Sequence, residues 1–298
     1  MTMSVKHFFD AVSSTLTYVV SDTSTRSCAI IDPVLDLDYA SGTLSTDSAD
    51  SVIDFIESEG LRLECILETH IHADHLSSAP YIKSKLGGNI AIGAHITTVQ
   101  QTFGTIFNEG AGFARDGSQF DWILSDGDTF RIGALEGEAF HVPGHTPACM
   151  AYHIEDALFV GDTLFMPDAG TARCDFPGGD ARALYRSCQR LMSLPDETRV
   201  FVCHDYQPDG RELAFVATLA EHRLHNIHVG GAISADEFVA MREARDATLD
   251  MPTLILPSLQ VNMRAGHLPP PDDQGRLFLK VPINAFGGAD FTSLSDSE

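Results

Sequence analysis

Residues 65–75 read Cys65-Ile66-Leu67-Glu68-Thr69-His70-Ile71-His72-Ala73-Asp74-His75. The apolar start, Cys65–Leu67, predicts a short buried strand that runs straight into THIHADH. Three histidines and one aspartate then fall within six residues. Histidine is both a metal ligand and a group that titrates near neutral pH. This density at a strand end therefore points to chemistry rather than to a solvated loop.

Three further segments have the same form, an apolar run ending in a ligand-capable side chain. Val142-Pro143-Gly144-His145-Thr146 presents His145, and Leu158-Phe159-Val160-Gly161-Asp162-Thr163 presents Asp162. Val200-Phe201-Val202-Cys203-His204-Asp205-Tyr206 presents His204. Strand ends at one sheet edge can converge in space, and strands hold ligands more rigidly than loops do. Gly144 and Gly161 free the backbone to turn sharply just before two of these ligands.

Outward from these segments, strands and helices alternate. Tyr18–Ser21 and Cys28–Ile31 predict a hairpin, closed off by Asp32-Pro33, where proline has no N–H to give. Ala49–Glu59 predicts a helix with Val52, Ile53 and Ile56 on one face and Gly60 as its stop. Further helices are predicted at 78–86, 97–107, 180–194, 213–225 and 235–249. Strands are predicted at 90–92, 122–124, 129–132, 138–142, 150–154, 157–160 and 200–203. The run PTLILPSLQVNMRAGHLPPP reads as an irregular, proline-rich extension, and DFTSLSDSE as a frayed tail. No repeat or linker divides the chain. The expectation is an α+β fold in one domain over residues 1–289, its C-terminal extension at 250–289 and a disordered tail at 290–298.

Composition narrows the function classes. The chain has 298 residues, 44% hydrophobic and 20% charged, a globular composition that excludes disorder of the bulk. Lys and Arg total 19 against 42 Asp and Glu, a net charge of -23. That field repels nucleic acid, and an anionic substrate needs a local basic patch. No apolar run approaches the ~18 residues of a membrane span, so no membrane partner is expected. The N-terminus lacks the features of a secretory or transit leader, which makes the cytoplasm the expected compartment. Six cysteines without a C-x-x-C pair read as reduced thiols.

The order H-x-H-x-D-H, P-G-H-T, G-D and H resembles the metallo-β-lactamase superfamily. That resemblance implies an αββα sandwich with a metal site at one edge. It also implies a dinuclear set: His70, His72 and His145 at one position, Asp74, His75 and His204 at the other, with Asp162 bridging. Two zinc ions held this way would support hydrolysis.

The segment Ala172-Arg173-Cys174-Asp175-Phe176-Pro177-Gly178-Gly179 is similar to the persulfide dioxygenase (sulfur dioxygenase) branch of this superfamily. So are Pro143–Cys149 and His204-Asp205-Tyr206. PSLQVNMRAGHLPPP and KVPINAF resemble its bacterial β-lactamase-like hydrolase subgroup. The branch implies one Fe(II) per chain, held by His72, His145 and Asp162, with His70, Asp74, His75 and His204 around it. Its implied reaction oxidises glutathione persulfide with O2 to sulfite and glutathione, in sulfide detoxification. The resemblance leaves room for a sulfurtransferase that delivers the persulfide and for a homodimer. Two other readings stand beside it: a glyoxalase-II-like thioester hydrolase with two zinc ions, and a non-enzymatic metal or sulfide sensor.

Other polar residues have two readings each. Arg173 either anchors an anionic persulfide or glutathione carboxylate, or pairs structurally with Asp175. Tyr206 either donates a hydrogen bond toward the substrate or is satisfied elsewhere. Arg264 reads as a surface residue, and His222, His225 and His228 as one polar helix face. Cys149 and Cys174 read as small buried hydrophobes.

Overall fold

Successive residues of the strands at Thr15–Asp22 and Ser27–Ile31 point to opposite faces, and both faces are dry. Leu16, Tyr18 and Val20 enter one core and Val19 another; Ala29 and Ile31 part from Cys28 and Ile30 in the same way. A sheet buried on both sides needs a second layer on each. The computed structural model, which describes residues 3–287, supplies them.

The chain starts with β1 (Met3–Asp10), β2 (Thr15–Asp22), β3 (Ser27–Ile31), β4 (Val34–Asp38) and β5 (Thr43–Ser45). It continues through α1 (Asp47–Ser58), β6 (Arg62–Leu67), β7 (Leu76–Ser77), α2 (Ala79–Leu86), β8 (Asn89–Gly93), α3 (Ile96–Ile106) and β9 (Trp122–Leu124). These strands form a six-stranded sheet in the order β1-β2-β3-β6-β8-β9, with β5-β4-β7 as a small side sheet. The pairs β3–β6, β6–β8 and β8–β9 are parallel, and α1, α2 and α3 make the crossovers such pairs require.

The second half comprises β10 (Thr129–Ile132), β11 (Leu135–His141), β12 (Met150–Ile154) and β13 (Ala157–Phe159). After them come α4 (Ala181–Leu191), β14 (Arg199–Phe201), β15 (Val216–Thr218), α5 (Leu219–His225), α6 (Ala235–Asp246) and α7 (Ile255–Asn262). Strands β10 to β15 form the second six-stranded sheet in sequential order. Its Ile132, Ala139, Tyr152 and Phe159 share a core with Tyr18, Ile31, Cys65 and Leu67, and with Leu184 of α4 and Phe238 of α6. Val52, Ile53 and Ile56 of α1 pack with Ile30 and Ile66 on the other face. The architecture is an αββα sandwich. None of its described helices is long and apolar enough to cross a membrane.

Three expectations change. The predicted helix at 213–225 begins as strand β15, which pairs antiparallel with β14. The helix starts only at Leu219, behind a capping box of Thr218 and Glu221, and an apolar run this short does not announce which state it takes. The extension expected to be irregular contains α7. Its Pro257 sits in the first turn, where the missing N–H has no helical partner anyway. Arg264, expected at the surface, is buried against Phe113 and pairs with Glu109 at 2.7 Å. The tail at 290–298 lies outside the described residues.

Candidate metal centre

The predicted ligands arrive from strand exits of both sheets. His70, His72, Asp74 and His75 follow β6; His145 follows β11; Asp162 follows β13; His204 follows β14. Ligand sites in such folds lie beyond the carboxyl ends of strands. The sheets are stitched together here: Leu16 N–H donates to Cys203 O at 2.7 Å and Asp205 N–H to Ser14 O at 3.1 Å, a bridge between Thr15 and His204. Gly144 has φ +146°, and a Cβ there would meet the Leu184 backbone at 2.3 Å. Gly161 has φ +49°, and a Cβ would meet Thr69 Oγ1 at 2.6 Å. Both turns therefore require glycine.

The rings of His70, His75, His145 and His204 are each approached through Nδ1, which leaves Nε2 to face the cluster. His145 Nδ1 donates to Arg173 O at 2.7 Å, and His75 Nδ1 to Leu76 O at 3.0 Å. Thr69 Oγ1 gives its proton to Asp32 Oδ2 at 2.8 Å, so it accepts from His70 Nδ1 at 3.0 Å. His70 thus keeps a lone pair on Nε2. His204 Nδ1 lies 3.3 Å from Thr15 Oγ1. Such outer partners fix the tautomer and orientation of metal-binding imidazoles.

The ligand atoms of His70, His145 and Asp162 lie within 4.8 Å of one another, and so do those of His72, Asp74 and His75. Asp162 reaches both ways, with Oδ2 3.6 Å from His145 Nε2 and Oδ1 3.3 Å from His204 Nε2. His72 is placed differently from His70. Its Nε2 stands 3.0 Å from Asp32 Oδ1 and 3.7 Å from Glu68 Oε2, two buried carboxylates. Asp162 Oδ1, His75 Nε2 and His72 Nδ1 are buried without a hydrogen-bond partner. Leaving buried polar atoms orphaned costs free energy, and a cation bound among them removes that cost. The donor set fits a metal.

The electrostatics divide the cluster. Burial and the neighbouring charges of His72, His145 and His204 outweigh Asp162 and pull His70 well below the ordinary imidazole value. Burial likewise brings His75 down to about 4. His204 moves the other way, because Asp162 and Asp74 overcome its burial and raise it. His72 is raised too, with Asp32 and Glu68 overcoming burial. Against the cost of burial, His204, His70 and His145 hold the Asp162 carboxyl well below the usual carboxylate range. Neutral His70 and ionised Asp162 are ready to coordinate, whereas His204 must first lose a proton.

The cluster opens into a cavity of about 590 Å³, whose lining includes His145, Asp162, Arg173, Phe176, Tyr206, His228 and Arg245. Arg173 forms the structural pair: Nε and a terminal nitrogen donate to Asp175 at 2.6 and 2.7 Å, and its other terminal nitrogen to Asp250 O at 2.6 Å. Tyr206 is 56% exposed and stacks on His204 at 5.7 Å. His222 and His228, expected on a polar helix face, are buried. Helix α5 ends at His225, and His228 lies beyond it, with Nδ1 accepting from Thr171 N–H at 2.9 Å.

Sequence reasoning missed Asp32, Glu68 and Asn262. Asp32 carries a signal in retrospect: it is another carboxylate at a strand exit, with φ +50° in a non-glycine residue. Asn262, on α7, donates to His72 O at 2.9 Å and His75 O at 2.8 Å and accepts from Ser77 N–H at 2.8 Å. It clamps the histidine loop from the C-terminal extension, a contact across 185 residues that no local pattern shows.

A family model described as Metallo-beta-lactamase superfamily matches residues 11–204. A probable metallo-hydrolase of Burkholderia pseudomallei (strain 1710b) is 55% identical over 95% of this chain and 100% of its own length. The mitochondrial persulfide dioxygenase ETHE1 of Homo sapiens is 29% identical over 88% of each chain. Among solved structures, ETHE1 from Myxococcus xanthus matches with a TM-score of 0.71 at 30% identity, over 89% of this chain and 100% of that one.

Proposed function

Since the chain belongs to the metallo-beta-lactamase superfamily, we propose that it is an Fe(II)-dependent persulfide dioxygenase. The reaction is glutathione persulfide, O2 and water to glutathione, sulfite and two protons. The observation that carries this reading is the compact set His70, His145 and Asp162, two imidazoles and one carboxylate. The distances favour His70 in this set in place of His72, whose Nε2 faces Asp32 and Glu68. Held by these three side chains, a ferrous ion would supply the redox chemistry that activation of O2 requires.

The protein's own contribution is orientation and exclusion. The Ala172–Gly179 segment forms part of the cavity wall and orients a ligand, because Arg173 O accepts from His145 Nδ1. Cys174 N–H is fixed by Asp246 at 2.8 Å, which holds the segment in place. Phe165 and Phe176 present apolar surface beside His145 and Asp162, which limits bulk water there to the one molecule the reaction consumes. Likeness to the two ETHE1 proteins supports the same reading.

A two-zinc thioester hydrolase is the second reading. It is favoured by the presence of all seven ligand side chains, by Asp162 reaching toward both His145 and His204, and by the hydrolase name of the 55% identical relative. One preparation decides between them. Purified without oxygen and loaded with Fe(II), the protein should consume O2 and release sulfite with glutathione persulfide. Zn(II), which has no accessible redox change, should not replace it. Efficient cleavage of S-lactoylglutathione by the zinc form, with no O2 uptake by the iron form, would overturn the dioxygenase reading.

A further inference from the structure

The cavity lined by His145 and Asp162 is also lined by an exposed guanidinium, that of Arg245. Arg173, Arg242 and Arg245 all line it. Two of them are committed. Arg173 donates to Asp175 and to Asp250 O, and buried Arg242 donates to Asp246 at 2.9 Å and to Thr171 O at 3.0 Å. Arg245, on the exposed side of α6, has no carboxylate within 4.0 Å among the described residues. In a chain of net charge -23, an unpaired guanidinium on a cavity wall stands against the prevailing field.

A second donor lines the same cavity. His228 is 7% exposed, and its Nδ1 accepts from both the Thr171 N–H at 2.9 Å and the Thr171 hydroxyl at 3.2 Å. A Cβ at Gly170 would meet its ring at 2.2 Å, so the ring is closely held. With Nδ1 accepting, the neutral ring carries its proton on Nε2, which has no protein partner among the described residues. Burial and the charges of Arg242 and Arg245 bring His228 down to about 4, which keeps the ring neutral at pH 7.

We infer that Arg245 and His228 form an anion subsite on the wall of this cavity, which holds a carboxylate of the thiol that carries the reacting sulfur. Arg245 supplies charge and a forked donor, and His228 supplies one directed N–H. The inference rests on the reading above in one respect, that the carrier is a carboxylate-bearing thiol such as glutathione. The dioxygenase and hydrolase readings share that carrier.

The test is calorimetric titration of the anaerobic iron-loaded protein with glutathione and with glutathione diethyl ester, whose carboxylates are masked. Arg245→Gln should weaken glutathione binding about 10-fold, the lower range for a hydrogen bond to a charged group. The ester should bind the unaltered protein about as weakly as glutathione binds the variant, and Arg245→Gln should leave the ester unchanged. His228→Gln should cost a smaller factor, with circular dichroism confirming its fold; Arg245 is exposed, so its variant tests the inference alone if His228→Gln does not fold. Equal affinity of the unaltered protein and Arg245→Gln for glutathione overturns the inference, as does an equal loss for acid and ester or no glutathione binding at all. Arg245-dependent binding without O2 uptake on persulfide upholds the subsite and sinks only the dioxygenase reading.

Discussion

His145 and Asp162 reach the cavity directly from strand exits, with buried His70 beside them, whereas Arg173, His228, Arg242 and Arg245 reach it from a loop, the far side of a helix end and helix α6. The first group is held by hydrogen bonds to each ring's outer nitrogen and by turns that only glycine can make. The second is sorted by pairing: Arg173 and Arg242 have carboxylate partners and Arg245 has none within 4.0 Å among the described residues. Chemistry that tolerates little displacement is placed on strands. Recognition, which a few charges can supply, is placed on the later and more adaptable elements.

The strongest way to break this division is through the ligands. His70→Ala, His145→Ala and Asp162→Ala should each abolish iron retention, as measured by metal analysis after anaerobic purification. His72→Ala should leave substantial iron while lowering activity about 10- to 100-fold, the usual cost of losing an outer-sphere partner. Equal and complete loss across all four variants would instead indicate a shared dinuclear centre.

A smaller but still large effect is expected in the wall. Arg242 and Asp246 form an ion pair with side chains 1% and 6% exposed. Arg242→Ala leaves Asp246 buried and unpaired, at a cost of about 3–5 kcal/mol. Thermal or urea unfolding should show that loss, and iron content at low temperature should be unchanged, since Arg242 touches none of the ligands. Coupled loss of iron would show that wall and ligand edge are one unit.

Arg173→Ala sharpens the comparison at the lowest magnitude. Its fork is spent on Asp175 and Asp250, so the variant should lose about 1–2 kcal/mol of stability. Its KM for persulfide should rise less than that of Arg245→Gln. A larger KM effect at Arg173 would move the substrate anchor back to the position that its sequence neighbourhood suggested.

The same division explains what could be read in advance. Strand-exit ligands are legible because apolar run, turn glycine and ligand are contiguous, as in Val142–Thr146 and Leu158–Thr163. The hairpin of β2 and β3 and helix α1 were equally local. His72 and His70 could not be ranked, because their difference depends on Asp32, which is remote from His72 in the chain but stands 3.0 Å from its Nε2 in space. The wall was illegible for a related reason. Helical spacing over 235–249 predicts a helix but does not show that Arg242 is buried while Arg245 faces the cavity. His222 and His228 looked like a solvated stripe because the helix end between them leaves no mark in a pattern of histidines.

The ligands come from both sheets: His70 from the exit of β6, and His145, Asp162 and His204 from the exits of β11, β13 and β14. An ion bound among them would therefore act as a rivet across the seam of the sandwich, next to the backbone stitch at Thr15 and His204. Cross-linking segments so far apart in sequence restricts the unfolded chain, and binding only the folded form adds RT ln(1 + [L]/Kd) to stability. Cofactor supply and protein lifetime are then coupled quantities. A cell short of the metal would lose the turnover of the site and, through the same bonds, the resistance of the two halves to coming apart.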